Sequence, residues 1–139
     1  MRIVVGMDPD GPIYPNGFYN PSVRLPQWLF VVLVPIIEWR KPKKQVVEKM
    51  QALTAQGYIF LIFSGRPKWF FRRTERLLKR HSVPFESLYC VGFGKGTNDR
   101  KLKVIREEKI EIFIDDNERV LKFLQSNSVK AVSSLDYLN

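Results

Sequence analysis

Short apolar runs alternating with amphipathic stretches limit the folds open to this chain. Runs at 2–7, 58–63, 88–91, 110–114 and 129–132 are rich in Val, Ile, Phe and Tyr and read as buried strands. Between them, 42–56 places Val46, Val47, Met50 and Leu53 at helical spacing, with Gly57 as a C-cap. Pro67 suits the first turn of a helix reaching about residue 81, with Phe70, Phe71, Thr74, Leu77 and Leu78 as its inner stripe. Asn98 or Asp99 is expected to cap a helix to about 108. Asp116 or Asn117 is expected to cap another to about 126, with Val120, Leu121 and Leu124 turned inward. Alternation of this kind predicts an α/β fold, a three-layer sandwich around a parallel sheet of about five strands.

The 139 residues fit one domain spanning 1–139, with a core that needs no disulfide. The lone Cys90, inside Leu88-Tyr89-Cys90-Val91, reads as a buried, inert thiol and fits a reducing compartment. Residues 12–40 break the alternation with five prolines and Gly17, and are expected to form a flap or hairpin leaving the first strand. Within that segment, Trp28 to Trp39 is apolar but too short for a membrane span, which takes about 20 residues. It reads as a buried segment or a homodimer contact through 28–39. The N-terminus enters a strand-like run at once, so no signal peptide is expected, and the location expected is cytoplasmic. A formal charge of +9 fits either a polyanionic or phosphorylated partner or a solvated basic surface.

Two acidic clusters sit at the ends of apolar runs: Asp8-Pro9-Asp10-Gly11 after Ile3–Met7, and Asp115-Asp116 after Ile110–Ile114. In open parallel sheets, ligands bind beyond the carboxyl ends of the strands. Asp8, Ser64 and Asp115 all fall there, on three separate strands. Residues two apart on an extended strand face the same side, so Asp8 and Asp10 can share a pocket if Gly11 turns the chain. Carboxylates brought this close repel by roughly 4 kcal/mol per pair at an effective dielectric near 20. A hard cation such as Mg²⁺ offsets that. The pattern reads as a phosphoryl-transfer site. Taken singly, each motif has a plainer reading: a turn for Asp-Pro-Asp-Gly, a strand-to-helix loop for Ser64-Gly65-Arg66-Pro67, and an N-cap for Asp115-Asp116.

Taken in order, these motifs resemble those of haloacid dehalogenase-superfamily phosphatases. Asp8-Pro9-Asp10-Gly11 matches the first motif, Ser64 the second, a lysine near 101 the third, and Asp115-Asp116 the fourth. The resemblance covers essentially the whole chain and implies a Rossmann-like sandwich of the haloacid dehalogenase type. It further implies Asp8 as the nucleophile forming an aspartyl-phosphate, and Asp10 as general acid and then base. Ser64 would hydrogen-bond the phosphoryl group, and a lysine would screen charge. Mg²⁺ would be held by Asp8, the Asp10 carbonyl and Asp115, with Asp116 assisting or behind them. Lys101 is favoured over Lys103 because Val104 and Ile105 follow it at the third and fourth positions, where a helix would pack. One departure is Pro12, where the family usually has Thr; proline lacks the N–H.

With only residues 12–40 to form a flap, the expected enzyme is nearly capless, with an open site. The segment from Ser64 to Arg76, leading to His81-Ser82-Val83-Pro84-Phe85, resembles the phosphatase domain of polynucleotide kinase-phosphatases. Gly11, Gly65, Arg66 and Lys68 are the substrate-binding candidates. Arg66, Lys68, Arg72, Arg73 and Arg76 are placed to meet phosphates, and Trp69 to stack on a base. The alternative for this stretch is a solvated basic helix face with a buried Trp. His81 reads as a helix-end surface residue. Two functions stay open. One is a Mg²⁺-dependent phosphomonoesterase acting on a nucleotide, nucleic-acid end or other phosphorylated metabolite; the other is an inactive module binding nucleic acid through its basic surface.

Overall fold

The computed structural model describes residues 3–14, 41–92 and 96–138. The expected flap and the apolar 28–39 segment therefore lie almost wholly outside the described residues. Strands β1 (Ile3–Met7), β2 (Tyr58–Ser64), β3 (Ser87–Cys90), β4 (Ile112–Ile114) and β5 (Ala131–Val132) form one parallel sheet in the order β3-β2-β1-β4-β5. The helices are α1 (Lys44–Ala55), α2 (Phe71–Arg80), α3 (Thr97–Glu107), α4 (Glu118–Ser126) and α5 (Ser134–Leu138). A 3₁₀ turn, Lys68–Phe70, leads into α2. Among the described residues, no helix is long and apolar enough to cross a membrane.

Side chains alternate across the pleat, and both faces of the sheet are covered. Val5, Met7, Phe60, Ile62, Leu88 and Ile114 pack on one face with Val46, Val47 and Met50 of α1, Leu77 and Leu78 of α2, and Leu138 of α5. Leu61, Phe63, Phe113 and Ala131 pack on the other with Leu102 and Ile105 of α3 and Val120 and Leu124 of α4. Gly6 faces this second layer, where a Cβ would stand 2.7 Å from Phe113 Cδ2. The central strand therefore carries no side chain beside that ring.

Local details refine the sequence expectations. Neither Asn98 nor Asp99 caps α3; Gly96, at φ 85°, occupies the N-cap, and the Thr97 hydroxyl donates to the Gly92 carbonyl. Asn117, rather than Asp116, caps α4, its side chain accepting from the Arg119 N–H at 3.0 Å. The last strand begins at Ala131, because the Val129 N–H is taken by the Leu124 carbonyl closing α4. The five-residue helix α5 is too short to leave a period in the sequence.

The register gathers the site. Met7 pairs with Ile62 on one side and Ile114 on the other. Asp8 and Asp115, each one residue further, leave the sheet at the same level, and the Asp8 N–H still donates to the Ile114 carbonyl. From β1 the chain builds outward to β2 and β3, then returns to place β4 on the opposite side. Asp8 and Asp115 thus flank the point where strand order reverses, where a crevice opens in sheets of this kind.

Candidate active site

Beyond β1 the chain turns at once. The Pro9 carbonyl accepts from the Ile13 and Tyr14 N–H groups, and the Gly11 N–H donates to the Tyr14 carbonyl at 2.7 Å. Gly11 sits at φ 110°, a region that a side chain disfavours. Pro12 lies inside this turn, where its fixed φ is tolerated, and Ile13 and Tyr14 are buried behind it.

Asp8 (6% exposed), Asp10, Ser64, Arg66, Lys101 and Asp115 are all buried. Asp8 is held through both oxygens: the Asp10 N–H donates to Oδ1 at 2.9 Å, and the Lys101 ammonium to Oδ2 at 2.7 Å. Lys101 Nζ also stands 3.6 Å from Asp115 Oδ2. Lys103, by contrast, is exposed on α3 and faces Glu107. The helical spacing that turns Val104 and Ile105 inward carries Lys101 into the site and leaves Lys103 in solvent.

Asp115 Oδ1 accepts from the Asn117 N–H at 2.9 Å, whereas Oδ2 is buried without a hydrogen-bond partner. Asp116 is differently engaged: Oδ1 accepts from the Ser134 N–H and hydroxyl at 2.9 and 2.8 Å, and Oδ2 from the hydroxyl at 2.9 Å. It ties the β4–α4 turn to the start of α5 and borders a cavity with Lys43, Lys44 and Leu135.

Ser64, fully buried at the end of β2, accepts the Arg66 N–H at 3.1 Å through Oγ, and half-buried Gly65 lies between them. Arg66 turns inward, 1% exposed, with Nη2 3.5 Å from Asp10 Oδ1 and Nη1 donating to Thr74 Oγ1 at 3.2 Å. Arg66, a substrate-binding candidate from the sequence, and Thr74, expected in the inner stripe of α2, meet here. A polar residue on an otherwise apolar helix face was the available signal for Thr74. Lys68 is exposed, as is Trp69 at 55%, so the buried-Trp alternative does not hold. His81 closes α2, its Nδ1 2.8 Å from the Tyr14 hydroxyl.

Electrostatics follow from burial. Burial raises Asp8 above the usual carboxylate range, against the lowering influence of Lys101, and Asp10 raises it further. Burial, then the nearby Asp8 charge, pushes Asp115 up to about 7. For Lys101 burial works against the charge, but Asp8 and then Asp115 outweigh it and the ammonium is held more firmly than usual. Three buried carboxylates thus face two cations, Lys101 and Arg66. A divalent ion suits this donor set: a hard oxygen without a donor at Asp115 Oδ2, and an excess of negative charge. Among the described residues no three Asp, Glu, His or Cys side chains form a metal-ligand group. Backbone carbonyls and water would have to complete such a shell.

No protein-family model matches the chain, and no curated protein matches its sequence. Solved structures do. A chain of the Pnkp1/Rnl/Hen1 RNA repair complex superposes with a TM-score of 0.68 at 20% identity, over 95% of this chain and 42% of its own length. A haloacid dehalogenase-like hydrolase from Streptococcus pneumoniae gives 0.63 at 13% identity, over 94% of this chain and 83% of its own. A D,D-heptose bisphosphate phosphatase from B. bronchiseptica, solved with magnesium and phosphate, gives 0.58 at 8% identity, over 94% and 78%. The chain spans less than half the length of the RNA-repair chain it matches. At these identities the likeness concerns architecture, and the five-stranded parallel sheet, its flanking helices and its edge of aspartates make this a haloacid dehalogenase-like fold.

Proposed function

We propose that this protein is a Mg²⁺-dependent phosphomonoesterase working through an aspartyl-phosphate on Asp8, its substrate a nucleotide, a nucleic-acid end or another phosphorylated metabolite. The observation that carries the reading is the grip on Asp8. Both of its oxygens are fixed, by the Lys101 ammonium and the Asp10 N–H, at the carboxyl edge of the sheet near Asp115. A carboxylate oriented in this way is prepared for in-line attack, and the lysine offsets charge as phosphate approaches.

An Asp8 oxygen forms the new O–P bond while the ester P–O bond breaks, its electron pair passing to the leaving oxygen. That oxygen takes the proton of the Asp10 carboxyl. The Asp10 carboxylate then removes a proton from a water molecule, whose oxygen attacks phosphorus. The P–O bond to Asp8 breaks, which restores the carboxylate and releases phosphate. The Ser64 hydroxyl, whose oxygen accepts from Arg66, keeps its proton for a phosphoryl oxygen. Asp8, Asp115 and the Asp10 carbonyl would hold Mg²⁺, with Asp116 bracing the loop behind them. The ion would neutralise and orient the non-bridging phosphoryl oxygens.

Turnover of p-nitrophenyl phosphate in Mg²⁺, lost in EDTA and in Asp8→Asn, is the expected result; turnover unaffected by Asp8→Asn removes the mechanism. A nucleic-acid substrate is favoured by the outer face of α2. Arg72, Arg73 and Arg76 are exposed there, with Lys68 and Trp69 exposed in the 3₁₀ turn just before, directly after the loop carrying Ser64 and Arg66. The same face supports the second reading, an inactive nucleic-acid-binding module. Oligonucleotide binding with a steep salt dependence but no turnover would favour that module.

A further inference from the structure

We infer that Thr74 is a positioning residue for the general acid, acting on Asp10 through the Arg66 guanidinium; this rests on the phosphatase reading above. Arg66 is almost wholly buried, so its charge needs partners inside the protein. Its guanidinium lies 5.7 Å from the centre of the Phe70 ring, donates through Nη1 to Thr74 and brings Nη2 to 3.5 Å from Asp10 Oδ1. Its backbone is tied as well, the N–H to Ser64 Oγ and the carbonyl to the Gly92 N–H.

Thr74 is suited to this task by the direction of its hydroxyl. The hydroxyl donates to the Phe70 carbonyl at 2.9 Å, one helical turn back, so its proton is committed and its lone pairs face Arg66. A rigid helix thereby sets the plane of the guanidinium, and the guanidinium sets the side of the Asp10 carboxyl that remains for the leaving oxygen. Thr74 touches neither substrate nor the reacting atoms. In kcat/KM, which reports the steps up to formation of the aspartyl-phosphate and leaves out the later attack of water, its effect should therefore appear only where the leaving oxygen needs a proton.

The test compares kcat/KM for p-nitrophenyl phosphate, which departs as a stable phenolate, with glycerol phosphate, which departs as an alkoxide. Thr74→Val keeps the shape but turns a methyl toward Arg66. It is expected to lower kcat/KM on glycerol phosphate roughly tenfold or more, against less than about threefold on the aryl ester. Thr74→Ala, which adds no new branch, carries the same expectation if the valine variant does not fold. Thr74→Ser, which keeps the hydroxyl, should restore the alkyl-ester rate. Equal losses on both esters, or no loss on either, would overturn the inference while leaving the phosphatase reading intact. A wild-type protein that turns over neither ester in Mg²⁺ overturns that reading and the inference together.

Discussion

Asp115→Asn should make the protein more stable while disabling it. Asp115 is buried almost completely, and burial together with the Asp8 charge lifts it from an ordinary carboxylate value to about 7. The folded state therefore binds more protons than the unfolded chain between about pH 4 and 7, and stability falls as pH rises through that window. Held ionised at pH 8, the carboxylate costs about 4 kcal/mol relative to a group with no displacement. An amide removes that cost and keeps an oxygen for the Asn117 N–H, but it turns an NH₂ toward Lys101 if its oxygen stays on Asn117. Roughly half the gain, about 2 kcal/mol, should survive, a rise in Tm of roughly 6 °C for a chain of this size. Thermal unfolding in EDTA would be followed at pH 8 and pH 4. The variant should lead at pH 8, and the order should reverse at pH 4, where the wild-type carboxyl is neutral and carries no charge cost while the amide NH₂ still opposes Lys101. Adding Mg²⁺ should raise the wild-type Tm by mass action and leave the variant nearly unmoved. A variant less stable than wild type at pH 8 in EDTA, or a difference independent of pH, would refute the account.

Lys101→Met should abolish phosphate-ester turnover and lower stability at pH 8 by about 3 kcal/mol, because it leaves Asp8 and Asp115 buried without their shared cation; Lys103→Met should change neither by more than about 0.5 kcal/mol or twofold, as activity assays and urea titration would register. Gly6→Ala places a Cβ 2.7 Å from Phe113, whose ring is wedged edge-on against Phe63, so urea unfolding should show a loss of about 1–3 kcal/mol with the fold retained. The Cys90 thiol is pushed up to about 11 by burial, so a thiol reagent at pH 8 should label it only at the rate at which the protein opens, and rapidly in denaturant.

The architecture was legible because it rests on periodicity. Apolar runs one strand long, separated by stripes one helix long, leave few alternatives to a doubly covered parallel sheet, and the strands from Ile3, Tyr58, Ser87 and Ile112 lie close to where the pattern puts them. Features of one or two residues were less legible. The five-residue helix α5 is too short to show a period, and the start of α3 depends on a glycine at positive φ rather than on the side chains Asn98 and Asp99 that suggested a cap. Trp69 reads equally well as core or surface, since one aromatic beside Phe70 carries no period of its own; packing put Phe70 inside and Trp69 outside.

The order of residue types along the chain determined which side chains leave strand ends, and so named Asp8, Asp10, Ser64 and Asp115 as a set, because strand polarity in a parallel sheet collects them at one edge, while Lys101 was singled out by the motif resemblance and by its helical spacing. What each of them touches was decided only in three dimensions. Lys101 lies 93 positions from Asp8, Thr74 meets an arginine expected to contact phosphate, and Ser134 takes up the second aspartate of the late pair. Such contacts depend on how far each helix is rotated on the sheet. That rotation is set by the packing of the whole apolar face, which no short stretch of sequence contains.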